Sequence, residues 1–145
     1  MPTTLRRLRR LALAPAIIAL AASCENSVSV AKDQLAGSYA ATSFLMTTGG
    51  TTYNFIGLGG SMVVTIAADS TITGTLTVPA GLPNLTPGTA NLAGKVRRTT
   101  DLLGLVFEQA SQDTFVPLLV WQQFTDALVS TTAIGNTQFQ ITLRK

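Results

Sequence analysis

Histidine is missing from this chain of 145 residues, and cysteine occurs only once. Without histidine, Ser–His–Asp and Cys–His catalytic arrangements are excluded, as are metal sites built from histidine and cysteine. One cysteine cannot form an internal disulfide, so the fold must depend on packing. Charge is also scarce, at 12% of residues, and the seven acidic residues are too scattered for a calcium-binding loop. We therefore expect no catalytic residues, no metal and no cofactor.

Two weaker signals for chemistry have simpler explanations. Asp101 and Glu108 could meet in space as an acid pair, but solvated carboxylates at strand ends explain them better. Gly57-Leu58-Gly59-Gly60 lacks the Lys-Ser/Thr and the helix that follow the glycines of a phosphate-binding loop, because the chain continues as Ser61-Met62-Val63-Val64. The glycines therefore predict a turn, and the sequence indicates a protein that is not an enzyme.

The first 24 residues have the layout of an export signal. Four arginines and no acidic residue occur among the first 23 positions, and the uncharged run Leu11–Ala22 follows the arginines. This run is too short to span a bilayer, which takes about 20 apolar residues. The alternative, a buried helix of a soluble domain, would place clustered arginines beside a core. We predict a signal peptide over residues 1–23.

Cys24 follows Leu20-Ala21-Ala22-Ser23, and this segment resembles the lipobox of bacterial lipoproteins. The resemblance implies cleavage between Ser23 and Cys24, diacylglycerol on the Cys24 sulfur and an acyl chain such as palmitate on the new amino terminus. Two or more chains hold a protein stably on a membrane. In enterobacteria, an aspartate directly after the lipidated cysteine favours retention in the inner membrane. This chain has Glu25 at that position, so we expect the protein in the outer membrane, facing the periplasm or the cell surface. The alternative is an ordinary cysteine beside a cleavage site.

Cleavage would remove 23 of the 145 residues and leave 122, enough for one domain with its own core. The formal charge of +3 belongs to the signal, since without its four arginines six Lys and Arg remain against seven Asp and Glu. A charge of −1 supports no binding to nucleic acid. We expect residues 24–35 to form a lipidated tether and residues 36–145 to form the folded domain.

Apolar and polar residues of this domain alternate with a period of two, which is typical of strands with one buried face. The pattern is clearest in Thr71–Val78 and in Thr137–Leu143. Tyr53–Gly60 is interpreted as a partly ordered flap over one end of the domain, and Pro79–Pro87 as a loop. Pro117 indicates an edge or a bulge. The predicted strands are Gly37–Met46, Met62–Ile66, Thr71–Val78, Thr89–Arg98, Leu102–Glu108, Phe115–Trp121, Leu128–Ile134 and Thr137–Leu143.

Eight strands joined in sequence by short turns favour antiparallel neighbours and can close into an up-and-down barrel. A β-sandwich is the alternative all-β architecture. With Leu35-Ala36-Gly37-Ser38-Tyr39 entering the first strand and Phe139-Gln140-Ile141-Thr142-Leu143 in the last, the domain resembles a small bacterial lipocalin-like lipoprotein. Tyr39 stands where the lipocalin signature Gly-x-Trp has tryptophan. The resemblance implies a lipocalin-like β-barrel from about Leu35 to Lys145.

Two functions fit such a domain, because an eight-stranded barrel either fills with side chains or holds one small ligand. The first is a membrane-anchored, non-catalytic binding module for a small apolar ligand, and Gly74 and Gly94 favour free volume for it. The second is a structural or protein-interaction lipoprotein with a filled core, in which the same aromatic residues are plain core. The candidate ligand-binding residues are Phe107, Phe115, Trp121 and Phe139.

Lys95, Arg97 and Arg98 form the one basic cluster of the predicted mature chain. Residues two apart share a strand face, so Lys95 and Arg97 should point outward together. A solvated polar face explains them best. Contact with anionic lipid headgroups is the alternative, at about 1 kcal/mol per charge.

Overall fold

The computed structural model describes residues 34–100, 104–109 and 114–145. The predicted signal peptide, Ser23, Cys24, most of the predicted tether and Asp101 lie outside these residues. Export, cleavage and acylation therefore stay predictions.

Strands dominate the described part of the chain, and all of them belong to one antiparallel sheet. A single 3₁₀ turn, Val116–Leu118, stands between the sixth and the seventh strand. The strands are β1 (Gly37–Thr48), β2 (Thr51–Asn54), β3 (Ser61–Ile66), β4 (Thr71–Val78), β5 (Gly88–Arg98), β6 (Leu105–Gln109), β7 (Val120–Gln123), β8 (Ala127–Ile134) and β9 (Thr137–Arg144).

The sheet closes on itself because β1 pairs with β9. Strands β1 and β3 to β9 follow one another around the closed sheet, whereas β2 pairs with β1 alone. The protein is therefore an eight-stranded antiparallel up-and-down barrel with one additional strand. The barrel predicted from the sequence is confirmed, and the sandwich alternative is wrong. Closure pairs the backbone groups that an open sheet would leave exposed at its edges.

A β-bulge in β1 allows both halves of this strand to face the interior. Tyr39 and Phe44 are both fully buried, yet they lie five residues apart and would point to opposite faces of a regular strand. Ala41 pairs with Leu143 and Ser43 pairs with Thr142, so Thr42 is the additional, unpaired residue. One inserted residue reverses the inside and outside of every residue that follows it.

The interior is filled by apolar side chains from all eight barrel strands. In β3 and β9 every second residue is buried, as the alternating sequence predicts. Full burial of such a side chain contributes roughly 1.5–3 kcal/mol, so the interior is the main source of stability. The bulkiest fully buried residues are Trp121, Tyr39, Phe44, Phe55 and Phe107.

The predicted strand Phe115–Trp121 is wrong over most of its length. Val116–Leu118 is the 3₁₀ turn, with Pro117 in its first positions, and β7 begins only at Val120. Proline has no N–H for a strand ladder, and its fixed φ suits the start of a helical turn. As a result β6 and β7 share only two paired positions.

The predicted flap Tyr53–Gly60 contains both a strand and a turn. Thr51–Asn54 forms β2, which makes a hairpin with the second half of β1. Phe55 then turns into the interior, where it is fully buried and stacks on Phe44 with ring centroids 3.9 Å apart. A side chain at Gly60 would collide with the Phe55 ring, so glycine permits this close approach.

The barrel has two ends, which we call proximal and distal. The proximal end, where β1 begins, is formed by residues 34–37, 67–70, 99–104 as far as described, 124–126 and Lys145. The distal end is formed by residues 49–50, 55–60, 79–87, 114–119 and 135–136.

Gly74→Ala tests how tightly the interior is packed. A Cβ at Gly74 would meet the carbonyl oxygen of Val63 on β3, so the space that the sequence suggested as free volume is occupied by backbone. We expect Gly74→Ala to lower the free energy of unfolding by about 1–3 kcal/mol in chemical denaturation, as overpacking does. The exposed neighbour Thr75→Ala is the control. An unchanged midpoint for Gly74→Ala would contradict a filled interior at this height.

Candidate functional site

The four aromatic residues predicted to line a pocket form two separate pairs. Phe107 and Trp121 stack inside the barrel, with centroids 5.1 Å apart, and both are fully buried. Phe115 and Phe139 stack near the distal end, with centroids 4.6 Å apart. The fold therefore places one pair deep in the core and the other pair beside an opening.

Two further phenylalanines, Phe44 and Phe55, join the second pair. Phe44 meets Phe115 and Phe139 edge to face, at centroid distances of 6.1 and 6.5 Å. Phe44 also stacks on Phe55, so Phe44, Phe55, Phe115 and Phe139 form what we call the distal aromatic cluster. Sequence reasoning missed Phe44 because the bulge at Thr42 breaks the alternation. It missed Phe55 because the segment was assigned to a flap.

Two small openings meet at this cluster, and together we call them the distal cleft. Their volumes are about 200 and 210 Å³, and Asn84, Leu85 and Phe115 line both. None of the lining residues is charged. Ligand pockets commonly measure about 300–1,000 Å³, so either half is small and the two together reach the lower limit. The remaining lining residues are Met46, Pro83, Ile134, Thr137 and Phe139 in one half and Leu76, Val78, Thr86 and Thr114 in the other.

The loop of residues 79–87 contributes Asn84 and Leu85 to both halves of the cleft. Leu82 is buried and Leu85 packs against the core, so both hold the loop on the barrel. Between them Asn84 adopts a positive φ of 62°, a left-handed conformation that asparagine tolerates better than most residues. The turn at Asn84 directs Leu85 toward Phe115 and the floor of the cleft.

The proximal end is closed by contacts between the start and the end of the barrel. The Tyr39 hydroxyl donates a hydrogen bond of 2.7 Å to the Leu35 carbonyl, and Leu35 is buried. The Lys145 Nζ donates to the Gln34 carbonyl at 2.6 Å and lies 5.4 Å from the centroid of the Tyr39 ring. These contacts, which we call the proximal seal, cover the buried Tyr39 ring.

Two clefts on the surface of the proximal end are larger, at about 520 and 420 Å³. They share Arg98 and Leu105, and charged side chains line both: Arg98 and Asp126 the larger cleft, and Asp69, Arg97 and Arg98 the other. Volume alone does not make these clefts better sites for an apolar ligand, because burying charged groups beside an apolar ligand is unfavourable. The distal cleft is smaller and has the apolar floor.

The basic residues lie on the outside at the proximal end, and Lys95 and Arg97 are both exposed, as predicted. Arg97 forms an ion pair of 2.6 Å with Glu108, and the alternative pairing of Glu108 with Asp101 lies outside the described residues. Arg144 and Asp126 form a second pair at 3.0 Å. Exposed pairs of this kind contribute about 0–1 kcal/mol each.

Asp69 sits in the turn between β3 and β4, where its Oδ1 accepts a hydrogen bond from the Thr71 backbone N–H at 2.9 Å. This hydrogen bond favours the ionised carboxyl and lowers the pKa of Asp69. The arrangement is that of a capped turn. Over residues 34–100, 104–109 and 114–145, no group of three or more metal-ligating acidic, cysteine or histidine side chains occurs.

One polar atom of the core is unpaired among the described residues: the Trp121 Nε1, which is buried without a hydrogen-bond acceptor. Ser130, the β8 residue opposite Trp121, is also fully buried, but its hydroxyl is bonded to the Thr132 Oγ1 at 3.0 Å. An unmet buried donor costs about 1–3 kcal/mol. The Trp121 side chain therefore stabilises the core by filling space and not by a hydrogen bond.

No helix in the described part of the chain is long and apolar enough to span a bilayer. No protein-family model, curated protein or solved structure matches the chain. The likeness to lipocalins beyond the barrel architecture stays a prediction.

The ionisation of Tyr39 gives a test of the proximal seal. Burial raises the pKa of the Tyr39 phenol above its ordinary value of 10.0. The contribution of the neutral phenol to stability is therefore fully present below about pH 10 and is lost as the pH rises through the folded-state pKa. We expect Tyr39→Phe to flatten the alkaline fall of the denaturation midpoint. At neutral pH it should cost roughly 1 kcal/mol, because the hydrogen bond to Leu35 is lost.

Denaturation midpoints measured across the alkaline range would check this expectation. Tyr53→Phe is the matched control, since it removes the second tyrosine and keeps Tyr39 with its alkaline slope. If Tyr39→Phe retained the wild-type slope, the phenol would not be sealed by the contacts described.

Proposed function

We propose that this protein is a lipid-anchored, non-catalytic binding protein of the bacterial cell envelope that takes a small apolar ligand into its distal cleft. The observation that carries the proposal is the composition of this cleft. Its lining is uncharged, and Phe115 and Phe139 form a stacked aromatic floor beside Met46. A concave, mostly apolar site with few polar groups is the usual form of a small-molecule site.

The distal cleft suits a ligand no larger than a single ring or a short acyl segment. Leu85 lines both halves, so its displacement would enlarge them together towards the smallest common pocket size. Each CH₂ group that a ligand buries contributes about 0.8 kcal/mol. Affinity would thus come from apolar contact with the cluster, and specificity from the shape of the opening.

The proposed anchor is supported by the sequence alone, through the lipobox-like segment and Cys24. The chain joins the barrel at the proximal end, at Gln34 and Leu35. Roughly ten residues separate Cys24 from this point, and they reach at most about 35 Å when extended. The distal cleft lies at the opposite end of the barrel from the attachment.

A second function, a protein-interaction lipoprotein with a filled core, has an observation of its own. Leu118, Val120 and Phe124 lie on or beside β7 and are 59, 42 and 53% exposed. Three large apolar side chains exposed within the segment 118–124 can mark an interaction site in a soluble protein. In this case the distal cleft would have no ligand, and the outer surface near β7 would bind the protein partner.

Leu85→Ala separates the two functions. Shortening this side chain enlarges both halves of the distal cleft, so a fluorescent apolar dye should bind the variant more tightly than the wild type, by up to about tenfold for the few CH₂ groups gained. Leu58→Ala is the control, because Leu58 is an exposed leucine outside the cleft. Native mass spectrometry after gentle extraction should show a co-purifying small molecule on the wild type. An absence of bound mass, together with equal dye binding by both variants, would favour the filled-core function.

Cys24→Ser tests the anchor independently of the ligand. The thioether requires the cysteine thiolate, so the variant should lose both the acyl mass and its partitioning into the detergent phase. Intact mass spectrometry of membrane-extracted protein reads cleavage and acylation together. A Cys24→Ser variant that still carried thioether-linked lipid would overturn the lipoprotein assignment.

A further inference from the structure

Charge is distributed unevenly along the barrel axis. The described residues include five Lys and Arg against three Asp and Glu, a difference of +2. All eight lie in the turns of the proximal end or on the strand segments next to them, and residues 34–68, 70–94, 114–125 and 127–143 carry no charge. The charged residues are Asp69, Lys95, Arg97, Arg98, Glu108, Asp126, Arg144 and Lys145.

Among the described residues of this end, ion pairs do not involve every cation. Arg97 pairs with Glu108, and Arg144 pairs with Asp126. Lys95 lies close enough to Asp69 to lower the pKa of its carboxyl slightly. Arg98 and Lys145 supply the excess positive charge, and Arg98 lines both proximal clefts.

Phe124 is the exposed aromatic residue of this end. It projects from the turn between β7 and β8, is 53% exposed, and lines the same cleft as Arg98. A large apolar ring in water is unfavourable, whereas a ring beside cations suits the boundary between headgroups and acyl chains. The distal end has no comparable combination among the described residues.

We infer that the proximal end rests on the anionic headgroup layer of the bilayer, with Phe124 entering that layer and Arg98 and Lys145 contacting lipid phosphates. Two observations select this occupant: the excess positive charge of the described residues complements anionic lipid, and the described chain begins at this end, with Gln34 and Leu35. The inference rests on the proposed anchor. It deepens the proposed function, because a barrel held this way points its distal cleft at the aqueous side.

Tryptophan probes would measure this orientation in the acylated protein. Phe124→Trp and Leu58→Trp, each in a Trp121→Phe background, place a single indole at the proximal or the distal end. The proteins are reconstituted into vesicles of phosphatidylglycerol and phosphatidylcholine with brominated acyl chains. The proximal probe should shift to shorter wavelength and lose roughly half or more of its emission, since interfacial groups lie about 5–10 Å into the boundary, while the distal probe stays unquenched. If Trp121→Phe lowers stability, Phe124→Trp and Leu58→Trp are made in chains that retain Trp121. The emission of the wild type is then subtracted to isolate the emission of each probe.

Arg98→Gln and Gln138→Glu supply matched changes of one charge. Gln138 is exposed near the β8–β9 turn at the distal end. Arg98→Gln, combined with the Phe124→Trp probe, should reduce quenching on vesicles with anionic lipid, and Gln138→Glu should leave it unchanged. Equal effects of the two variants would overturn the charge contact.

The other outcomes are also decisive. Quenching of the distal probe alone, or of both probes equally, would show that another face meets the membrane and would overturn the inference. Membrane-bound protein with neither probe quenched would show that the tether holds the barrel away from the lipid, and this result would also overturn the inference. Protein that fails to remain on the vesicles after a salt wash would show instead that the proposed anchor is wrong.

Discussion

The pairing of β1 with β9 is the interaction on which the rest of the structure depends. β1 pairs with β9 along most of its length, while its other edge pairs with β3 in the first half and with β2 in the second. The bulge at Thr42 keeps both halves of β1 facing inward across this change of partner. Without closure, the apolar faces of the strands would form an open sheet with water on the side now buried, and its edges would be free to pair with other chains.

The barrel architecture could be predicted from the sequence because apolar and polar residues alternate regularly in most strands. Thr71–Val78 was predicted with the bounds that β4 has, since threonines alternate there with inward residues. The strand prediction for Phe115–Trp121 is wrong because six of its seven residues are apolar or aromatic, which favours a strand, whereas Pro117 starts a helical turn and does not form a bulge. Alternation reports which face a residue occupies but not its height in a barrel. Only the strand register places Trp121 deep in the core and Phe115 and Phe139 beside the distal opening.

The same limit explains what was missed at the candidate site. Phe44, Phe55 and Phe139 lie far apart in the sequence and meet only because β2 folds back on β1 and β9 closes beside it. The separation of charge and aromatic residues along the axis is equally hidden, because charged positions fall in five different strands and turns. Once the strands alternate in direction, these positions converge on one end. The two ends of the barrel thus differ chemically although neither is marked by a sequence motif.

A closed meander also dictates an order of events during biogenesis. Most pairings join strands that are consecutive in sequence, the exceptions being β1 with β3 and β1 with β9, so hairpins can assemble as the chain emerges. The pairing of β1 with β9, in contrast, brings together Thr42 and Thr142, which are 100 residues apart in the sequence. Such long-range contacts form slowly, because the chain must give up the entropy of a large loop first. Completion of the cylinder therefore waits for the C-terminal strand, so the barrel cannot close until its last strand has been made.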